Sequence, residues 1–274
     1  MNKLSINPQA YFVDLDGTFF DQASYDDPIS QFNLMVARKV NENKYFIVST
    51  GRQYDAKLHD LMQQINSPYA VAMVGAQIVN NQGQIIKEHL IQFNHAVINS
   101  IIDKHLFLII NEEPILYCDS SSNISLMRNF AKNYQRLNYE QINKAAKIYK
   151  FIVFGASIEQ MNELANRWKR EFSDLGFHMV SGGYSIEITN AAATKGKGAK
   201  FVCELLNIDP LKSVHIGNSG NDVSAKPEIG YFIAMGNSPQ DVKLNADWVG
   251  ANKENGGVGK IISLIENYET KTAE

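Results

Sequence analysis

The sequence predicts an α/β fold: a Rossmann-like core built on a parallel sheet, interrupted by an inserted α+β domain. Three observations carry this. Short apolar strands alternate with helical patterns over residues 10–79, the same alternation returns from about Ala191, and between them strands are bounded by Gly and Asn turns. Residues 1–83 and 191–274 are therefore assigned to the core and residues 84–190 to the insert.

AYFVDLDGTFFD (10–21) is a short apolar strand that runs into acids and a Gly. QFNLMVARKVNEN (31–43) carries Phe32, Met35, Val36 and Val40 at helical spacing. KYFIVSTGR (44–52) is a second buried-type strand, and DAKLHDLMQQI (55–65) a helix with Leu58, Leu61, Met62 and Ile65 on one face. YAVAMVGAQIV (69–79) reads as a third strand, and AQIVNNQGQIIKEH (76–89) as a hairpin about Asn-Gln-Gly. Within the insert, helix-like HAVINSIIDKH and IEQMNELANRWKREFSDLG alternate with strand-like FLIINEEPILYCD, KIYKFIVFGA and FHMVSGGYSIEITN. KGKGAKFVCELLNI is then a helix expected to turn Phe201, Val202, Leu205 and Leu206 inward. The strand SVHIG, a helical region near 222–228, the strand YFIAMG and a closing helix GVGKIISLIENYET complete the core.

At 274 residues and 45% hydrophobic, the chain buries a sizeable core without disulfide staples. A net charge of −3 without a dense Lys/Arg run argues against a nucleic-acid surface. Cys118 and Cys203 lie far apart, outside any CxxC pattern, and suit a reducing compartment. The N-terminal MNKLSINPQAYFVD lacks the apolar stretch of a signal peptide, and HLFLIINEEPIL is broken by Asn111, Glu112 and Glu113 far short of a membrane span. A soluble, cytoplasmic protein with no nucleic-acid or membrane partner is expected; the sequence leaves the oligomeric state open.

Four stretches carry chemistry. In DLDGT, Asp14 and Asp16 sit two residues apart after a strand, so in continuing strand they share a face. Such like charges need a cation or a proton between them, and Gly17 lets the chain turn. The alternative is an acidic turn with solvated side chains. In STGR, Thr50 offers a hydroxyl, Gly51 a close backbone approach and Arg52 a fork suited to phosphate; the stretch reads equally as an ordinary N-cap. In TKGKGAK, Lys195 and Lys197 stand at a helix start against the dipole preference, as a lysine serving an anion would, or as part of a solvated basic loop. GNSGND alone is a Gly-Asn turn. Each stretch lies where a parallel strand ends or the next helix begins, and in an open α/β sheet those points converge on one crevice. Acids, a hydroxyl and a lysine meeting there match acid–metal–phosphate chemistry.

In order and spacing, DLDGT, STGR, TKGKG and GNSGND resemble the four motifs of the haloacid dehalogenase superfamily of phosphatases, in its Cof-like branch with a type IIB cap. The flanks agree: VGAQIVNNQGQII is similar to the hairpin entering the cap, with Val74 in place of Asn. YSIEITNAAATKGKGAKFVCELLNI is similar to the cap exit, and AMGNSPQDVKLNADWVGANKENGGVGKII to the C-terminal tail. The resemblance implies Asp14 as the nucleophile that takes the phosphoryl group, and Asp16 as the general acid and then base, its carbonyl on Mg²⁺. Thr50 is implied as a donor to a phosphoryl oxygen, and Lys195 as the cation between Asp14 and the phosphate. It further implies Leu15, Gly51, Arg52 and Asn221 around the phosphate or substrate. Mg²⁺ is the implied cofactor, held by Asp14, Asp16 and residue 218 with Asp222 in support, and a small phosphorylated metabolite, a sugar phosphate first, is the implied substrate.

Two departures stand out. Asn218 occupies the place of an expected metal-binding aspartate; its amide oxygen can ligate Mg²⁺ but brings no charge. At 4 Å and an effective dielectric of 20 the missing charge is worth about 4 kcal/mol at most. Weakened Mg²⁺ affinity is expected, and a weakly active or non-catalytic phospho-ligand binder is the alternative, with a phosphomutase third. Ala225 replaces a usual Met, a packing difference. In the insert, Tyr184, Glu187 and His178 are candidates to read the leaving group, or ordinary strand residues.

Overall fold

The computed structural model describes residues 6–24, 28–93 and 95–268. The first five residues of the N-terminal stretch and the last two of the expected closing helix, 269–270, lie outside them. In chain order the main elements are β1 (Ala10–Val13), α1 (Gln31–Val40), β2 (Tyr45–Ser49), α2 (Ala56–Gln64), β3 (Tyr69–Ala72), β4 (Gln77–Asn80) and β5 (Ile85–Glu88). Next come α3 (Ala96–Asp103), β6 (Phe107–Ile110), β7 (Ile115–Tyr117), β8 (Gln135–Leu137), β9 (Lys150–Phe154), α4 (Ile158–Glu171), β10 (Leu175–Val180) and β11 (Ser185–Asn190). The chain closes with α5 (Lys195–Leu205), β12 (Ser213–Gly217), β13 (Tyr231–Ala234), α6 (Gln240–Asn245), β14 (Trp248–Val249) and α7 (Gly257–Glu266).

Two compact units result, Met1–Lys87 with Lys195–Glu274, and Glu88–Thr194. The sequence placed the junctions at 83/84 and 190/191. Residues 84–87 stay with the first unit because β5 lies beside β4 in its sheet.

The first unit carries an eight-stranded sheet in the order β14-β13-β12-β1-β2-β3-β4-β5. From β14 to β3 every pairing is parallel. Both faces are covered, so the central strands read as unbroken apolar runs, as parallel strands do. Tyr11, Val13, Phe46, Val48, Val214 and Ile216 pack towards residues of α1, α2 and α7; Ala10, Phe12, Ile47 and Val71 pack with Ala199, Val202 and Cys203 of α5. Local signals fix the helix starts: Ser30 accepts from Asn33 N–H at α1, and Asp55 from Leu58 N–H at α2.

Three local expectations are corrected. The strand expected over 69–79 breaks at Ala72; Met73–Gly75 turn the chain back and β4 runs antiparallel to β3. That turn uses positive φ at Met73, Val74 and Gly75, and Val74 is a β-branched residue in a region that such residues rarely enter, so Gly75 is the one residue of MVG that marks it. On α1, Leu34 is buried and Met35 exposed, and on α5 Leu205 is exposed. In both cases the helix turns one residue away from the expected face.

The second unit is a six-stranded sheet, β10-β11-β9-β6-β7-β8, antiparallel except for β7 with β8. One apolar cluster joins Val97, Ile98 and Ile101 of α3 and Met161, Leu164 and Trp168 of α4 to Leu108, Phe151, Val153 and Ile186 of the sheet. Ser157 and Gln160 form a capping box at the start of α4.

Candidate active site

The register of the parallel strands brings the expected residues together. Val13 lies opposite Ile216 on β12 and Val48 on β2, so Asp14, Ser49–Thr50 and Gly217–Asn218 leave the sheet at one carboxyl edge. Asp14 continues the strand with extended φ/ψ, and its N–H donates to Ile216 O at 2.9 Å. The chain then forms a wide turn in which Phe19 N–H donates to Asp14 O (3.1 Å) and Phe20 N–H to Leu15 O (2.9 Å). Such i→i+5 turns are rare and gather at functional sites. Gly17 takes φ +77°, and a Cβ there would stand 2.3 Å from the Asn218 side-chain amide, so both conformation and space require glycine. Asn33 Nδ2 donates to Phe19 O (3.1 Å) and Asn237 Nδ2 to Gly17 O (2.9 Å), anchoring the turn from outside.

A buried charge cluster lies beneath this turn. Lys195 Nζ donates to Asp14 Oδ1 at 2.6 Å and to Asp222 Oδ1 at 2.7 Å, with all three side chains at most 7% exposed. The first residue of α5 thus sits at a helix start, against the dipole preference, because two carboxylates hold it there. Burial pushes the Asp14 carboxyl up to about 7, against the pull of Lys195 and with help from Asp222. Burial also works against the charged forms of Lys195 and Asp222, but their attraction outweighs it. Lys195 is held above the ordinary lysine range and Asp222 below the ordinary carboxylate range.

Asp222 spends its oxygens within the protein. Oδ1 also accepts from His215 Nε2 (2.8 Å); Oδ2 accepts from the N–H groups of Asn218 (3.0 Å) and Ser219 (2.9 Å) and from Ser219 Oγ (3.1 Å). Asp222 therefore shapes the loop that presents residue 218. His215 is fully buried, and burial lowers its pKa, leaving a neutral ring whose Nε2–H serves Asp222. Its Nδ1 has no hydrogen-bond partner. Asn221 lies in the same loop, its Oδ1 accepting from Ser219 Oγ (2.9 Å).

Asp16 stands apart from the cluster. Arg52 grips its carboxylate with Nε at 2.7 Å and Nη2 at 2.6 Å and lies over the Phe20 ring, 4.9 Å from its centroid. Both partners are half-exposed, and an exposed pair of this kind is worth only about 0–1 kcal/mol, so Asp16 is released cheaply. Thr50 is buried, and its Oγ1 accepts from Arg52 N–H at 3.1 Å, which leaves its own O–H as a donor.

Asn218 meets the Asp14 turn. Its amide is best satisfied with nitrogen towards the turn, donating to Asp16 O (2.9 Å), Asp14 Oδ2 (3.1 Å) and Thr18 Oγ1 (3.2 Å). The Thr18 hydroxyl is then free to donate to Asp14 Oδ2 at 3.3 Å. Turned the other way, Asn218 Oδ1, Asp14 and the Asp16 carbonyl make an all-oxygen set containing one carboxylate. That fits Mg²⁺, which takes one or two carboxylates and keeps several waters. Among the described residues no group of three or more His, Cys, Asp or Glu is placed to hold a metal ion, so a metal here depends on the carbonyl and the amide beside Asp14.

The sequence reading did not single out Thr18, His215, Ser219 or Asn237. His215 had one signal, a titratable residue inside an otherwise apolar strand; the others look like ordinary loop residues. In the second unit, Lys150 is buried between Glu112 (2.5 Å) and Glu187 (3.3 Å), His178 Nε2 is buried without a partner, and Tyr184 stacks on Arg128. Glu187 is thus committed to an ion pair.

Residues 11–262 match the haloacid dehalogenase-like hydrolase family. A 5-amino-6-(5-phospho-D-ribitylamino)uracil phosphatase of Escherichia coli (strain K12) is 25% identical over 268 residues, covering 94% of this chain and 96% of that protein. A phosphatase of the same superfamily from Bacteroides thetaiotaomicron shares the fold with a TM-score of 0.78 at 17% identity, over 95% of this chain and 96% of that one. A subclass IIB sugar phosphatase gives a TM-score of 0.74 at 18% identity, over 95% and 100%.

Proposed function

The chain belongs to the haloacid dehalogenase-like hydrolases, and from that premise we propose that it is a Mg²⁺-dependent phosphatase of small phosphorylated metabolites, sugar phosphates first, acting through an aspartyl-phosphate. One observation carries the reading: a buried carboxylate, Asp14, ends the central strand of a parallel sheet and is held by a buried lysine, with a second, loosely held acid two residues on. The sugar-phosphatase neighbour and the 5-amino-6-(5-phospho-D-ribitylamino)uracil phosphatase of E. coli support the substrate class.

Asp14 attacks phosphorus while the bond to the leaving oxygen breaks, and Asp16, which takes up a proton from solvent once Arg52 releases it, gives that proton to the leaving oxygen. Asp16 then takes a proton from water, whose oxygen attacks the aspartyl-phosphate and returns Asp14 as a carboxylate. Lys195 offsets the repulsion between Asp14 and the phosphate, and Thr50 and the freed Arg52 hold phosphoryl oxygens. Asp14, the Asp16 carbonyl and the Asn218 amide oxygen would hold Mg²⁺, which would supply further charge neutralisation when bound. Asp222, fixed by His215 and the loop N–H groups, keeps Lys195 and residue 218 in place.

The test is hydrolysis of an aryl phosphate with Mg²⁺, followed by a panel of sugar phosphates. Turnover that vanishes in Asp14→Asn is expected; absence of turnover at any Mg²⁺ concentration, or turnover that survives Asp14→Asn, refutes the reading. The Asn218 contacts favour a second reading, a phospho-ligand binder with poor turnover. A large gain in turnover in Asn218→Asp supports it, and little change leaves Asn218 as a working ligand.

A further inference from the structure

Resting on the magnesium reading above, we propose that Asn218 is a two-position residue. In the metal-free protein its NH₂ group cross-links Asp14 Oδ2 and the Asp16 carbonyl, and the amide turns over to present Oδ1 when those oxygens take a divalent cation. Metal binding and the turn of this one side chain are then a single event.

Three features support the proposal. With nitrogen inward, the amide donates to three acceptors at 2.9, 3.1 and 3.2 Å, and Thr18 relays its own proton to Asp14. With oxygen inward and no cation, Oδ1 faces the Asp16 carbonyl and the Asp14 carboxylate, both acceptors. It keeps only the Thr18 hydroxyl (3.2 Å), which Asp14 Oδ2 also needs. The metal-free site thus selects one face of the amide, and a cation selects the other. The space is also shaped for it: the outward atom of the Asn218 amide, whichever it is, lies where only a glycine at 17 leaves room.

An aspartate at 218 has no such second face. Without metal it brings a second carboxylate towards Asp14 with only the single Thr18 hydroxyl between them, and with metal it adds a charged ligand. Asparagine therefore exchanges metal affinity for a site that stays assembled when metal is scarce.

The experiment uses the full chain, uniformly ¹⁵N-labelled, titrated with MgCl₂ after chelation. The Asn218 side-chain NH₂ pair is assigned by its loss in Asn218→Ala. Two results are expected of wild type: the pair is hydrogen-bonded and protected from exchange without metal, and it shifts and loses protection with the same Mg²⁺ dependence as the backbone amides of residues 14–18. Asn218→Asp is expected to bind Mg²⁺ roughly tenfold or more tightly, in line with the 10–100-fold effects of changes around metal ligands. Its melting temperature in chelator should fall by about 2 °C or more, a deficit that saturating Mg²⁺ reverses. If Mg²⁺ shifts the backbone amides but leaves the NH₂ pair protected, or if Asn218→Asp changes neither affinity nor metal-free melting, the two-position proposal is overturned and the phosphatase reading stands. If neither wild type nor Asn218→Asp responds to Mg²⁺, the magnesium reading fails and the proposal fails with it.

Discussion

Replacing Lys195 with methionine removes the cation that lies between Asp14 and Asp222 while keeping the bulk of the side chain. The ammonium lies 2.6 Å from one carboxylate and 2.7 Å from the other, and all three groups are buried. Deleting one partner of a buried pair typically costs about 3–5 kcal/mol. Here a single deletion strands two carboxylates, so the upper part of that range is expected at pH 8. The loss must depend on pH with a definite sign. Burial already raises Asp14 to about 7, and loss of the ammonium raises it further. A carboxyl raised on folding favours the folded state below its unfolded value, near 4, and that contribution disappears as pH rises through the folded value. The Lys195→Met deficit should therefore be largest at pH 8 and shrink by at least half at pH 5, where Asp14 holds a proton and faces Asp222 as a neutral group. Urea unfolding in chelator measures it. Trp248 lies in the sheet of the first unit and Trp168 in the second, so a Trp168→Phe background lets fluorescence follow the unit that holds the site. Adding Asp14→Asn to Lys195→Met should recover at least half the loss at pH 8. A loss under about 1 kcal/mol, the size of an exposed pair, or an equal loss at both pH values refutes the reasoning.

The same titration predicts that metal-free wild type melts lower at pH 8 than at pH 6, and that Asp14→Asn flattens this slope; scanning calorimetry in chelator checks both. His215→Phe leaves Asp222 Oδ1 without its imidazole donor, so a stability loss of about 1–3 kcal/mol is expected, with kcat falling more than KM changes. Both are read from urea unfolding and steady-state kinetics with an aryl phosphate. Arg52→Ala breaks an exposed pair, so stability should move by no more than about 1 kcal/mol while KM rises; a large stability loss would show that the Asp16 fork is structural.

The architecture was legible because parallel strands buried on both faces must be written as apolar runs, and polar loops must come after them. β1, β2 and β12 are such runs, and each ends in a stretch that carries chemistry: DLDGT, STGR and GNSGND. Their order, with Lys195 opening α5, was enough to place the acids, the hydroxyl and the lysine at one sheet edge. The β3–β4 reversal was not legible, because its turn places Met73 and Val74 at positive φ with no Asn or Pro to mark it. The exposure of Met35 and Leu205 was missed because a helix face is fixed to within one residue only by what packs against it.

Sequence by itself determined which groups reach the site, since backbone hydrogen bonding and apolar patterning set where each strand ends. Only the tertiary structure decided how those groups share protons and charge. Lys195 reaches Asp14 across 181 residues and Thr18 meets Asn218 across 200. Arg52 rather than solvent holds Asp16, a buried imidazole backs Asp222, and the Asn218 amide meets Thr18 beside Asp14. Each of these is a choice between donors and acceptors from segments far apart in the chain, settled by which oxygens the folded loops leave without a proton.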